Sequence, residues 1–165
     1  MTDWFARPVL HVKDVDASLR FYMDRLGFTS PWRFDDDGKA YVAQVDRQGC
    51  ALILANTWPE KTGKGLMFIS LNVEPETREA AVAALDALRA ELEARGVAVK
   101  DGSWGYRLLV VDDPDGNQAF FNYPSETASD KMVRDEADSV DKSAHFRGEI
   151  KHLIEIGLEG VSAQG

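Results

Sequence analysis

Hydrophobic positions change their period several times along this chain, and each change marks an element. Arg7-Pro-Val-Leu-His-Val12 is a short apolar run that reads as a strand. Asp14 follows as an N-cap. Leu19, Tyr22, Met23 and Leu26 then fall at i, i+3, i+4 and i+7, predicting a helix with one buried stripe. Gly27 stands where such a helix would end. Phe28 opens an expected second strand, Asp35-Asp-Asp-Gly38 is a turn cluster, and Lys39 to Val45 alternates loosely. After a turn at Asp46 to Gly49, Cys50 to Ala55 is a continuous apolar run that reads as a buried strand. Asn56 to Gly65, with Pro59, Gly63 and Gly65, breaks the pattern and reads as a linker.

The pattern then begins again. Leu66 to Val73 is an expected strand, and Glu76 to Arg95 is rich in strong helix formers, with Ala81, Val82, Leu85, Leu88 and Leu92 on its buried face. Gly96 ends that helix. Val97 to Val99 and Leu108 to Val111 read as strands, Asp113-Pro-Asp-Gly-Asn117 as a strong turn, and Gln118 to Tyr123 as the last strand. Each half is therefore strand, helix and further strands. This predicts an α+β fold of two βαβββ modules, about 6–56 and 66–123, forming a curved mixed sheet around a cavity. Residues 124–143 are polar and charged and read as a linker. Beyond them Phe146, Ile150, Leu153, Ile154 and Leu158 lie at helical spacing. They predict an amphipathic helical tail over 144–165 that docks on its own domain or on a second subunit.

Composition narrows the function. With 165 residues, 44% of them hydrophobic, the chain can build one compact core plus a tail. It has no apolar run of about 18 residues. Its start, Met-Thr-Asp-Trp-Phe-Ala-Arg7, lacks the basic and apolar regions of a secretory signal. Cys50 stands alone, so no intrachain disulfide forms, and the expected compartment is the cytoplasm. A net charge of −9 argues against a nucleic-acid partner. It is compatible with a cationic ligand, but composition alone favours the plainer role of keeping the protein soluble.

Two segments carry a resemblance. Pro8-Val-Leu-His-Val-Lys-Asp-Val-Asp-Ala-Ser-Leu-Arg-Phe-Tyr-Met-Asp-Arg-Leu-Gly-Phe28 is similar to the opening of the glyoxalase/bleomycin-resistance/extradiol dioxygenase (vicinal oxygen chelate) superfamily. Val111-Asp-Asp-Pro-Asp-Gly-Asn-Gln-Ala-Phe-Phe121 is similar to its closing hairpin. With Ser103-Trp-Gly-Tyr-Arg107, the match covers about residues 6–123. The resemblance implies paired βαβββ modules and a homodimer with the cavity at or near the subunit interface.

Catalytic members of that superfamily hold a divalent ion with His, Glu or Gln side chains. Aligned one position at a time, those ligands fall at Arg7, near Ile53, at Phe68 and at Phe120, and none is a metal donor. No metal and no other cofactor is therefore expected. His11 shares Arg7's side of the strand and fits two readings: a structural or surface histidine, and a hydrogen-bonding or acid–base group in the cavity. His145 and His152 are two helical turns apart, too far for joint ligation.

The aromatics point elsewhere. Trp104 resembles the tryptophan with which bleomycin-binding proteins stack on the drug. Phe68 and Trp32 match two further aromatic walls, and Pro8 matches a hinge for an arm that crosses to the partner. Tyr106 departs from the family, which has arginine there. Trp32, Phe68, Trp104, Tyr106, His11 and Phe120 are thus the candidate ligand-binding residues, with no catalytic residue among them. The expected function is metal-free sequestration of a planar or cationic small molecule. The alternatives are a metal-dependent glyoxalase-like lyase or dioxygenase, and a non-catalytic partner protein acting through its tail.

Overall fold

Both halves of the sequence build the same unit. The computed structural model describes residues 2–104 and 106–123. The expected linker at 124–143 and helical tail at 144–165, with His145 and His152, lie outside the described residues. The first module runs β1 (Val9–His11), α1 (Val15–Arg20), β2 (Arg33–Asp36), β3 (Lys39–Arg47) and β4 (Cys50–Ala55). The second runs β5 (Leu66–Ser70), α2 (Arg78–Ala94), β6 (Lys100–Ser103), β7 (Arg107–Asp112) and β8 (Gln118–Asn122). The strands form two four-stranded mixed sheets of matching order, β1-β4-β3-β2 and β5-β8-β7-β6. In each, the opening strand pairs parallel with the closing strand and the other pairings are antiparallel. The fold is α+β, as the pattern predicts.

Local signals set the helix ends. The Asp14 carboxylate accepts the Ala17 N–H at 2.9 Å, and the Thr77 hydroxyl accepts the Ala80 N–H at 3.1 Å. Gly27 and Gly96 follow their helices with φ of 72° and 76°. Strand alternation then sorts the side chains. Leu10, Ala43, Val45, Leu52 and Leu54 of the first sheet, and Met67, Leu109, Val111, Ala119 and Phe121 of the second, are buried in one core with Leu19, Tyr22, Leu85, Leu88 and Leu92. Intervening residues, among them Val9, Gln44, Ile53, Phe68 and Phe120, take the opposite faces.

Three details depart from the expected elements. α1 passes into a π-helical turn over Phe21–Arg25, where the Leu26 N–H donates to the Phe21 carbonyl at 3.1 Å. The wider turn shifts the phase of the stripe, so Leu19, Tyr22 and Leu26 are buried while Met23 is 40% exposed. Phe28 does not open a strand: Thr29 makes a single bridge to Asp46, Pro31 offers no N–H, and β2 begins at Arg33. Val97 to Val99 is irregular, because the chain first turns at Gly96, and the strand follows at Lys100–Ser103.

A buried polar knot joins the modules. Asp113 accepts the Asp115 and Asn117 backbone N–H groups, both at 2.9 Å, and the Asn117 side-chain amide at 2.8 Å. It also accepts the Tyr22 hydroxyl, from α1's continuation, at 3.2 Å. Asn117 donates to the His11 carbonyl at 3.1 Å and accepts the Gly65 N–H at 2.8 Å. Burial and the Asp113 carboxylate push the Tyr22 phenol far above its ordinary value, so it stays a donor. The linker must come very close: at Gly63, with φ of 71°, an added Cβ would lie 2.0 Å from the Asp115 carbonyl oxygen. A second tie is Arg47, which donates to the Leu26 carbonyl at 2.5 Å and to Glu91 of α2 at 2.9 Å.

Replacing Asn117 by Ala strands the Gly65 N–H and frees Asp113, and is expected to cost about 2–4 kcal/mol in chemical denaturation. Tyr22→Phe removes one bond of the same knot and is expected to cost about 1 kcal/mol. The Arg47 hydrogen bond holds the Glu91 carboxyl below its usual range. A depressed carboxyl stabilises the fold above its unfolded pKa and loses that contribution as pH falls through the folded value. The stability gap between the native chain and Arg47→Gln should therefore narrow as denaturation is repeated at pH values stepped down below 4.5.

Candidate functional site

Parallel pairing of β5 with β8 sets Phe68 directly beside Phe120 on the face away from the helices. Their rings meet edge to face with centroids 5.5 Å apart. Trp104 lies in the turn between β6 and β7, where its N–H donates to the Tyr106 carbonyl at 3.0 Å. The indole folds back on Phe68 in a near-parallel stack, centroids 4.9 Å apart and planes 12° from each other. Three of the sequence-derived residues are thus one aromatic group. Trp104 remains 60% exposed and Phe68 38%, so the group presents an open aromatic surface. Tyr106 is half-buried beside it in the chain.

Trp32 belongs to a different group, on the first sheet. Its indole N–H donates to Gln44 Oε1 at 3.0 Å, and its ring tilts against Phe34 with centroids 5.5 Å apart. Gln44 also accepts from Arg7 at 2.7 Å and donates to Asp46 at 2.8 Å. No hydrogen bond or ring contact among the described residues joins this group to the Phe68 group. Gln44 and Phe34 had little to mark them in the sequence. A lone amide in a loosely alternating strand gives no hint that its oxygen will gather two donors.

His11 joins neither group. Its ring meets Trp58 of the linker edge to face, with centroids 5.3 Å apart, and the Lys61 ammonium lies over that indole at 4.7 Å. The His11 Nδ1 atom is buried without a hydrogen-bond partner among the described residues.

Divalent-metal chemistry does not fit the aligned positions. Arg7 brings a fixed cation, Ile53 hydrocarbon, and Phe68 and Phe120 aromatic rings packed on each other. The Gln44 amide oxygen on the first sheet is already shared by two N–H donors. Among the described residues no three His, Cys, Asp or Glu side chains cluster closely enough to hold an ion.

Two clefts flank these groups. One, of about 780 Å³, runs between the β3–β4 turn and the second module and touches Phe28, Arg47, Cys50, Phe68, Asn72 and Leu88. The other, of about 520 Å³, lies on the α1 side of Trp32, between Asp16, Arg20, Met23 and Arg33. Cys50 is half-buried, and burial raises its thiol pKa, so it does not offer a ready thiolate. No helix among the described residues is long and apolar enough to cross a membrane.

Known proteins share this architecture. The bleomycin-binding protein of bleomycin-producing Streptomyces verticillus, solved with copper(II)-bleomycin, is 26% identical, with a TM-score of 0.57 over 76% of this chain and 100% of that one. TnmS3, an antibiotic-binding protein from Streptomyces sp. CB03234, is also 26% identical, with a TM-score of 0.56 over 76% of this chain and 99% of that one. Among curated protein sequences, none matches. The profile of the Glyoxalase/Bleomycin resistance protein/Dioxygenase superfamily matches residues 4–121. On that match and on its paired modules, the chain belongs to the glyoxalase/bleomycin resistance/dioxygenase superfamily.

Proposed function

We infer that this protein binds a small molecule without a metal and sequesters it against aromatic side chains, as a drug-binding member of its superfamily. The observation that carries the reading is the Phe68–Trp104–Phe120 group, three rings gathered on the face of a sheet, two of them substantially exposed. A flat, partly cationic compound gains on such a surface from ring stacking and cation–π attraction, and the net charge of −9 draws a cation toward the molecule. Two solved relatives are described as binding bleomycin and an antibiotic, which makes a bleomycin-class compound the first ligand to try.

Trp32, Tyr106 and His11 would complete the walls. A homodimer would bring rings from two chains together. The exposure of Trp4 at 95%, Phe5 at 78% and Leu66 at 51% supports such a partner. The same reading makes the protein non-catalytic, since sequestration needs neither a nucleophile nor a metal-bound water.

Titration with bleomycin should quench tryptophan fluorescence, and Trp104→Ala should lose most of that response with its unfolding midpoint unchanged. Fluorescence that stays flat up to about 50 μM would exclude this drug class at a useful affinity. Dialysis against a chelator should leave the binding curve where it was. A loss of binding that Zn, Ni, Mn or Fe restores would return the chain to the metal-dependent branch of its superfamily.

A further inference from the structure

We propose that the outer face of the first sheet recognises the carboxylate of an aromatic ligand through Arg7. This goes beyond the reading above, which rests on the rings of the second sheet and shares only Trp32 with this one.

Backbone pairing builds the face. The Gln44 N–H donates to the Trp32 carbonyl at 3.1 Å, Gln44 lies opposite Ile53, and Ile53 lies opposite Val9. Trp32, Gln44, Ile53 and Val9 therefore form one row across the sheet. Arg7 precedes β1 at the end of that row, and its Nη1 reaches Gln44 Oε1 two strands away. The guanidinium thus extends across β4, over the middle of the sheet.

Its position is imposed. Gln44 is a polar residue only 8% exposed. Its oxygen accepts from both Arg7 and Trp32, and its nitrogen donates to Asp46. Rotating the amide would set its NH₂ against two N–H donors and its oxygen against a carboxylate, so one orientation is locked. An arginine held by a locked partner has lost its side-chain entropy before any ligand arrives.

The remaining chemistry is unspent. Arg33, Arg47, Arg89 and Arg107 each pair with a carboxylate. Arg7 makes no ion pair among the described residues, and Asp46, the acid of its own network, is taken up by the Gln44 amide. The Phe5 ring covers one face of the guanidinium at 5.2 Å. Its edge N–H donors stay available, and a planar oxyanion meets such an edge with two parallel hydrogen bonds. The Trp32–Phe34 pair, with Phe34 57% exposed, stands beside it as a platform for the ring that carries the acid.

The test uses the full chain and two probes with the same ring, 1-naphthoate and 1-naphthamide, in isothermal titration. Naphthoate is expected to bind about tenfold more tightly, the usual gain from charge-assisted hydrogen bonds. Arg7→Met should reduce naphthoate to the naphthamide level. Equal affinities in the native chain, no binding of naphthoate at millimolar concentration, or a preference that survives Arg7→Met would each overturn the proposal. A preserved naphthoate preference alongside absent bleomycin quenching would remove the reading of the second sheet and leave this one standing.

Discussion

Everything in this fold hangs on a turn whose two polar ends, Asp113 and Asn117, are buried. Asp113 and Asn117 close the last hairpin, and between them they hold the end of β1, the linker at Gly65 and the hydroxyl of Tyr22. A buried carboxylate is costly unless its lone pairs are filled. Here four donors converge on it, and they come from both modules. Three of these donors lie in the turn itself and the fourth is the Tyr22 hydroxyl, so the buried carboxylate is fully satisfied only when the first module is packed against the turn. The linker glycine at Gly63 follows from the same constraint, because the turn backbone leaves no room for a side chain.

With the modules fixed by one knot and one core, the outward sheet faces carry side chains that folding does not consume. Phe68 and Phe120 sit side by side because β5 and β8 run parallel in register, and Trp104 reaches them from a turn. Trp32 and Arg7 converge on Gln44 because β3 and β4 place that amide in the centre of the first sheet. The helices cover the other faces, so ligand chemistry on the outer faces can vary with little penalty to the core. This is the physical sense in which one superfamily fold hosts metal enzymes and binding proteins alike.

Charge acts at two ranges. The excess of acidic residues, 28 against 19 basic, sets the long-range field and favours cations. Within hydrogen-bond distance the first sheet offers a cation as well, because Arg7 and Trp32 meet on the Gln44 amide oxygen. A ligand with a flat apolar body and both signs of charge would use each range in turn.

Local pattern was enough to read the two-module plan, the helix ends at Asp14, Gly27 and Gly96, the turn at Asp113–Asn117, and the lack of metal-donor atoms at Arg7, Ile53, Phe68 and Phe120. These are local or compositional facts, fixed by backbone preference and by the chemistry of single side chains. It could not predict that α1 would widen at Phe21 and turn Met23 outward, since a π turn depends on how the helix meets the sheet. It named the six candidate residues but not their grouping. Tertiary structure decided that Phe68, Trp104 and Phe120 form one cluster, that Trp32 stands with Arg7 and Gln44, and that His11 turns to Trp58. Those contacts span 12 to 52 residues of chain, and only strand register and the closed turn bring such distant side chains to one place.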